Sequence, residues 1–431
     1  MDWIYLYILI YILILLGVSY FISKRQGKEG FLIGNRDRGG WQIAFSKFAG
    51  AIGAGVFITY TGFVYEYGFG VFAILLGLIT GYFLFAYWAA PKIQRDSKRR
   101  KFYTIGDFVY SKTKNIFSKK LSNWTSNLIL FLWLLVGIIG GAKIITDFGF
   151  LSYEVAVILT TLVILIYIIL AGYKAVLLTD VIQSIVILLL LVLVTFSIVG
   201  SFNIGSLFLV ETTNLDIGTA IGFFLFGVLA IFSYSNMYQL CYAAKNKNHL
   251  KHGIGLAIIP VIFSGFLLLL VGLFMASNVL GLDSGLVFTE ALRTFLSPKL
   301  LPFAIVLFFA GIMSSADTNI YAIASHHSIE KKGSKIKNIR ISSGILIILT
   351  LLISLIFRDI VDVSIIAGSI SMILSLPIIY LLLGGRSPKK FIASTLAGFV
   401  GLLLGLFILG IEPTAMILAL IFSALGLLWK K

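Results

Sequence analysis

Residues 310–325, AGIMSSADTNIYAIAS, close a long apolar run and yet carry three serines, an aspartate, a threonine and an asparagine. As a helix, the stretch sets Ser314, Asp317, Thr318, Tyr321 and Ser325 at i, i+3, i+4, i+7 and i+11, on one face, with Ser315 and Asn319 on its flank. The other faces are apolar. Serine and threonine in a lipid-embedded helix often do no more than hydrogen-bond to a neighbouring helix. An ionised carboxylate is costly at depth and normally faces a partner or a wet cavity. Asp317 thus points to a site for a hard cation, which takes oxygen ligands.

Lipid is the solvent that the rest of the chain implies. Of its 431 residues 59% are hydrophobic and only 12% are charged, and the mean hydropathy is +1.03. No water-soluble domain keeps such a composition in solution. A spanning helix needs about 20 mostly apolar residues. Cutting at the polar interruptions leaves thirteen such runs, at 3–22, 41–66, 71–91, 121–147, 153–171, 178–199, 217–241, 254–276, 301–326, 342–358, 360–384, 391–410 and 414–429. The expected fold is an all-α polytopic membrane protein.

The net charge of +16 follows the membrane. With the N-terminus outside, 29 of the 34 Lys and Arg fall in loops that become cytoplasmic, including Lys331, Lys332, Lys335, Lys337 and Arg340. Arg293, Lys299 and Arg358 fall outside, and Lys47 and Lys143 lie within spans. This asymmetry predicts an N-out, C-in arrangement and no nucleic-acid partner. The first span starts Met1-Asp2-Trp3 without a positive charge and is too long for a signal h-region, so it is expected to remain as a helix. Cys241 is the single cysteine, which leaves no intramolecular disulfide.

No loop is long enough for a soluble domain, so residues 1–431 are expected to form one transmembrane domain. Its parts are an extra N-terminal helix and inner loop (1–40), two five-helix halves (41–199 and 217–384) and two C-terminal helices (391–431). An odd number of helices per half gives the halves opposite orientations, as in inverted-repeat transporters whose site lies where the first helix of each half is broken. Those helices read FAGAIGAGVF (48–57) and IFSYSNMYQL (231–240), one rich in glycine and alanine, the other polar in mid-span. Glycine weakens a helix, and it also lets helices pack closely, so small residues alone do not choose between a break and a packing face. TIGDFVYSK (104–112) and LVFTEALRTFL (286–296) read as short connecting helices at the inner and outer surfaces.

Asp180 and Lys47 lie at a depth similar to that of Asp317. Two carboxylates and one ammonium sum to minus one. If close together they would favour a further cation or a proton, whereas a Lys–Asp pair would only neutralise itself. His326 and His327 have no carboxylate or cysteine at ligand spacing, so no transition-metal site is expected.

These residues resemble the solute:sodium symporter family, whose members have the leucine-transporter fold. The similarity runs from the first span to about residue 390, through FLIGNRDRGGWQIAFSKFAGAIGAG (31–55), TIGDF (104–108), AGYKAVLLTDVIQ (171–183), MYQLCYAAKN (237–246) and AGIMSSADTN (310–319). The resemblance implies a sodium site made by the carbonyls of Ala49, Ile52 and Gly311 with the hydroxyls of Ser314 and Ser315. In some members a second sodium uses the positions matching Asp180, Ser314, Asp317 and Thr318. Here Asp317 stands where those members carry hydroxyl residues, and Lys47 is a further departure. The implied solute pocket lies between the broken helices, with Ala54, Val56, Phe57, Phe232, Ser235 and Tyr238 as candidate lining. Proline carriers have a Pro-His pair where this chain has Asn236-Met237.

The expected function is sodium-coupled import of a small polar organic solute (amino acid, monocarboxylate, sugar or similar) across the plasma membrane by alternating access. The coupling ion is Na+. No other cofactor and no protein partner are expected. One charge crossing about 100 mV yields roughly 2.3 kcal/mol, enough for a solute gradient on the order of fifty-fold. The chain contains no ATP-binding P-loop. A proton-coupled transporter of the same fold would instead titrate Asp180 or Asp317. An intramembrane aspartyl protease also needs two membrane aspartates, but LLTD and SSAD lack the Gly-x-Gly-Asp context of such enzymes.

Overall fold

The structure, a computed structural model, describes residues 10–11, 13–18, 20–21, 33–149, 151–170, 173–200, 216–329 and 336–429, and within these the side chains of Ala54 and of residues 169, 170, 173–175, 325–329, 336 and 339 are not described. The expectations for Lys331, Lys332, Lys335 and most of the loops at 22–32 and 200–216 lie outside these residues, as do those for the side chains of Ala54, Ser325, His326 and His327.

Among the described residues the regular elements are helices. The described parts of 10–21 are helical and pack into the core through Tyr11 and Leu15. Helix α1 (Gly40–Ala51) and α2 (Ala54–Tyr67) form one span broken at Ile52 and Gly53. Helix α3 (Phe72–Leu84) continues through a π-helical turn (Phe85–Ala89) into α4 (Ala90–Arg100). The short α5 (Ile105–Thr113) leads to α6 (Ile116–Asp147), α7 (Tyr153–Leu170) and α8 (Tyr173–Val199). Helix α9 (Ile217–Leu229) passes through a 3-10 turn (Ala230–Phe232) and resumes, bent by 44°, as α10 (Ser235–Ala243). The chain continues through α11 (Lys247–Asn278), α12 (Val287–Phe295), α13 (Leu301–Ile329), α14 (Ile336–Ile356) and α15 (Ile360–Leu382). It ends in the packed pair α16 (Pro388–Leu409) and α17 (Ala415–Leu427).

The expected spans fall on these helices, with several longer than the apolar runs; α6 and α11 extend into polar sequence at their N-termini. Residues 55–100 are helical without a gap for 46 residues, about 69 Å at 1.5 Å per residue. That is more than twice a bilayer's hydrocarbon core. The division comes at Gly68, whose φ of +62° turns the chain between α2 and α3. Glycine adopts that geometry without a Cβ penalty.

The outer surface of the bundle is apolar. Phe407 is 89% exposed and Ile217 81%, and side chains of this kind recur along α7, α8, α14 and α16. Such a surface suits lipid and not water, and helices are one of the two backbone structures that satisfy their own polar groups there. This is a multi-pass membrane protein.

Close helix contacts depend on missing side chains. Gly77 on α3 and Gly227 on α9 face each other, and a Cβ on either would overlap the other helix's backbone. Polar caps set the shorter elements. Thr104 starts α5 with a reciprocal cap, its hydroxyl accepting from the Asp107 N–H at 3.1 Å while the Asp107 carboxylate accepts from the Thr104 N–H at 3.0 Å. The strand-like segment before α1 is tied to the end of α10 by an isolated bridge, with Arg38 N–H donating to Ala243 O and Lys245 N–H to Arg38 O, both at 3.0 Å. The two broken helices are thereby joined at one end.

Candidate functional site

The break in α1 follows from the sequence AGAIGAG (49–55), whose glycines make a helix weak. Ile52 leaves the helical region at φ −106°, ψ 79° and Gly53 is extended. Ending a helix leaves the carbonyls of its last turn without intrahelical donors. One of them, Ala49 O, accepts from the Ser314 hydroxyl of α13 at 2.8 Å. Ser314 also lies 3.3 Å from Gly311 O, and Ser315 donates to the same carbonyl at 2.5 Å. Ile52 is buried beside them, and a Cβ on Gly53 would overlap Ser315 Oγ. The five residues named for a sodium site, Ala49, Ile52, Gly311, Ser314 and Ser315, therefore meet where α1 breaks against α13. All their candidate ligand atoms are oxygen, and none carries a formal charge.

One turn away is an acidic cluster. Asp180 on α8 and Asp317 on α13 are both fully buried and within electrostatic reach of each other. Ser46 of α1 donates to Asp180 Oδ2 at 2.5 Å. Tyr167 of α7 donates to Asp317 Oδ2 at 2.9 Å and lies 2.6 Å from Thr179 Oγ1. The Thr318 hydroxyl is 3.3 Å from Asp317 Oδ1. Asp180 Oδ1 has no hydrogen-bond partner among the described residues. Ser46, Tyr167 and Thr179 belong to this cluster and were not singled out in the sequence. A tyrosine in the middle of the apolar stretch 162–170 was the available signal for Tyr167.

Lys47 does not join the cluster. The ion pair that would neutralise an aspartate is absent, because Lys47 follows Ser46 by one residue and so points about 100° away around α1. It lines a cavity of about 180 Å³ between α1, α2, α3, α6, α9, α11 and α13. Its side chain is 6% exposed, and its ammonium sits 5.1 Å from the centroid of the Tyr82 ring. Among the described residues no carboxylate is in ion-pair distance of it.

Of the residues expected to line the solute pocket, Val56 does so, beside the backbone of Gly53 and Gly55. Phe57 instead packs between Phe288 and Phe308. Phe232 packs edge-on to Phe85 and Trp88. The Ser235 backbone N–H donates to Ser126 Oγ at 3.1 Å, and Tyr238 donates back to Phe232 O at 2.9 Å. The reason is azimuth. After the break, the positions of α2 that face the cavity are Val56, Thr59, Tyr60 and Phe63, and beyond the second break they are Tyr234 and Asn236. Thr59, Tyr60, Tyr82, Tyr234 and Ser364 are polar lining residues that sequence reasoning did not name, and Asn236 and Asn319 were named there without being assigned to the pocket.

Residues 31–383 match the sequence model of the sodium:solute symporter family. The chain belongs to that family. Its members are symporters, which sets aside the protease reading of the two aspartates. A sodium/pantothenate symporter of Haemophilus influenzae is 28% identical over 181 residues, 41% of this chain and 37% of that protein. A sodium/proline symporter of Staphylococcus aureus is 24% identical over 238 residues, 53% of this chain and 46% of that protein. The matched segments thus span less than half the length of these relatives. Among solved structures, a substrate-bound, outward-open Na+-coupled sialic acid symporter superposes with a TM-score of 0.75 at 16% identity, covering 99% of this chain and 98% of that one. A nucleobase-cation-symport-1 family transporter, closed on bromovinylhydantoin, gives 0.63 at 13% identity over 94% and 95% of the two chains. The protein has the leucine-transporter type of fold.

Proposed function

We propose that the protein couples inward movement of Na+ to import of a small polar organic solute by alternating access, with its N-terminus outside and C-terminus inside. Sodium is held by the carbonyls of Ala49, Ile52 and Gly311 with the hydroxyls of Ser314 and Ser315. The observation that carries this reading is the 2.8 Å contact between Ser314 and the Ala49 carbonyl at the break in α1. It sets a hydroxyl beside carbonyls that a helix has released, the oxygen-only environment a hard cation requires. The family and the names of its relatives support the same ion. Residues 41–199 and 217–384 act as the two halves that move against each other, since the two breaks fall in the helices that open them.

The test is the melting temperature of the purified protein in sodium, potassium and choline chloride at equal ionic strength. A ligand that binds only the folded state raises it. Sodium-specific stabilisation, lost in Ser314→Ala and Ser315→Ala, is expected; equal curves in the three salts would sink the ion site.

A second ion is favoured by the acidic cluster, which buries two carboxylates with no basic partner in ion-pair distance among the described residues. Asp180, Asp317 and Thr318 bind a second cation or a proton there. Solute uptake in sodium-free buffer at acid pH would identify the proton as the coupling ion, and its absence would leave sodium in that role.

A further inference from the structure

The cavity contains one formal charge, and among the described residues none balances it. Lys47 is 94% buried, its ammonium facing the Tyr82 ring and the cavity. A cation over an aromatic face gains a little from the ring quadrupole, far less than the cost of removing an ammonium from water. Three more polar atoms of the lining are buried without partners among the described residues, the Tyr60 hydroxyl, Trp133 Nε1 and Asn236 Oδ1. The rest of the wall is mainly apolar and aromatic, with Phe63, Leu75 and Phe226 among its residues. At about 180 Å³ the space falls below the ~300–1,000 Å³ of drug-sized pockets.

Resting on the symporter reading above, we infer that the solute is a small organic monocarboxylate whose carboxylate pairs with Lys47 and whose body lies against the aromatic wall. The sign and number of charges select this class. A neutral solute leaves the ammonium unpaired. An amino-acid zwitterion brings its own cation, so the cavity stays net positive. A dianion such as a phosphate monoester exceeds the single positive charge available. A monoanion alone brings the cavity to neutrality, and a carboxylate accepts a charge-assisted hydrogen bond from an ammonium. The acidic cluster cannot serve in its place, because Ser46 and Lys47 direct the two sites to different sides of α1.

The experiment measures melting temperatures of the full chain in lipid nanodiscs at fixed sodium. The probes are acetate, propionate, lactate and benzoate, each against its own amide, with alanine as the zwitterion. At least one acid is expected to stabilise the protein where its amide does not. Lys47→Met is expected to weaken that acid by about a hundredfold, while Lys47→Arg retains most of the response. The response to sodium without solute reports on the ion site alone, and Lys47→Met must keep it to count as folded. If Lys47→Met does not fold, the contrast between each acid and its amide in the unmodified protein decides. Sodium stabilisation with no response to any acid overturns the proposal and leaves the symporter reading standing. So does an amide or alanine that binds equally well with and without Lys47. A Lys47→Met protein that binds more sodium would make the ammonium a substitute for a coupling ion, which also overturns it. Acid binding that needs Lys47 in a protein indifferent to sodium would keep this proposal and remove the ion site.

Discussion

Ser46 and Lys47 are neighbours in sequence and serve faces of α1 about 100° apart. On the Ser46 side lie two carboxylates, Asp180 and Asp317, with no Lys or Arg in ion-pair distance among the described residues. On the Lys47 side lies an ammonium with no carboxylate in ion-pair distance among the described residues. Opposite charges attract strongly in a low-dielectric interior, and a rotation of one residue would have let them neutralise each other. The bundle keeps them apart instead. Each side is left short of a counter-charge, and on our reading transported ions supply both, a cation on one side and an anion on the other.

The most disruptive way to break this comparison is to exchange the two residues. A Ser46→Lys, Lys47→Ser protein carries its ammonium on the Asp180 face, where it forms the pair that the native chain avoids. Solute-stimulated 22Na+ uptake into proteoliposomes is expected to fall by more than about a hundredfold. Uptake close to that of the native protein would mean that the two faces do not act separately. Ser314→Ala tests the neutral-oxygen site between them. One hydrogen bond to a charged group contributes about 1.5–3 kcal/mol, so apparent sodium affinity, read from melting curves, should drop by about tenfold to a hundredfold. Tyr167→Phe removes one donor to Asp317 and the hydroxyl contact with Thr179. It should change sodium affinity by less than Ser314→Ala and leave the carboxylate response of the Lys47 cavity untouched, which uptake at saturating sodium would check. Thr104→Ala lies away from both faces and removes the cap of α5. It should cost about 1 kcal/mol of stability and shift melting curves in sodium and potassium equally.

Long apolar runs made the helices legible in the sequence, and polar residues at depth the proposed ion site. Ser314, Ser315 and Asp317 stand out because the runs around them are apolar, and AGAIGAG announces a weak helix wherever it lies. Depth was legible for Lys47 as well, but azimuth was not. Whether a residue next to a helix break faces one neighbour or another depends on where the helix stops and on the bend beyond it. The same uncertainty misplaced Phe57, Phe232, Ser235 and Tyr238, each one or two positions from a residue that does line the cavity. Tyr167 escaped for another reason, since the next hydroxyl-bearing residue on its helix, Thr161, lies six positions away, at a spacing that leaves no helical period.

Lys47 also bears on what powers the cycle. A sodium ion and a monoanion crossing together move no net charge, so the step is electrically silent and the membrane potential does no work on it. The gradient that voltage alone could sustain for a neutral solute, about 2.3 kcal/mol per charge at 100 mV, then vanishes, leaving the sodium concentration ratio as the driving force. A second cation in the acidic cluster would restore a current. On our reading, one lysine, turned toward the cavity instead of toward Asp180, thus makes the acidic cluster the place where the protein either gains or gives up the use of voltage.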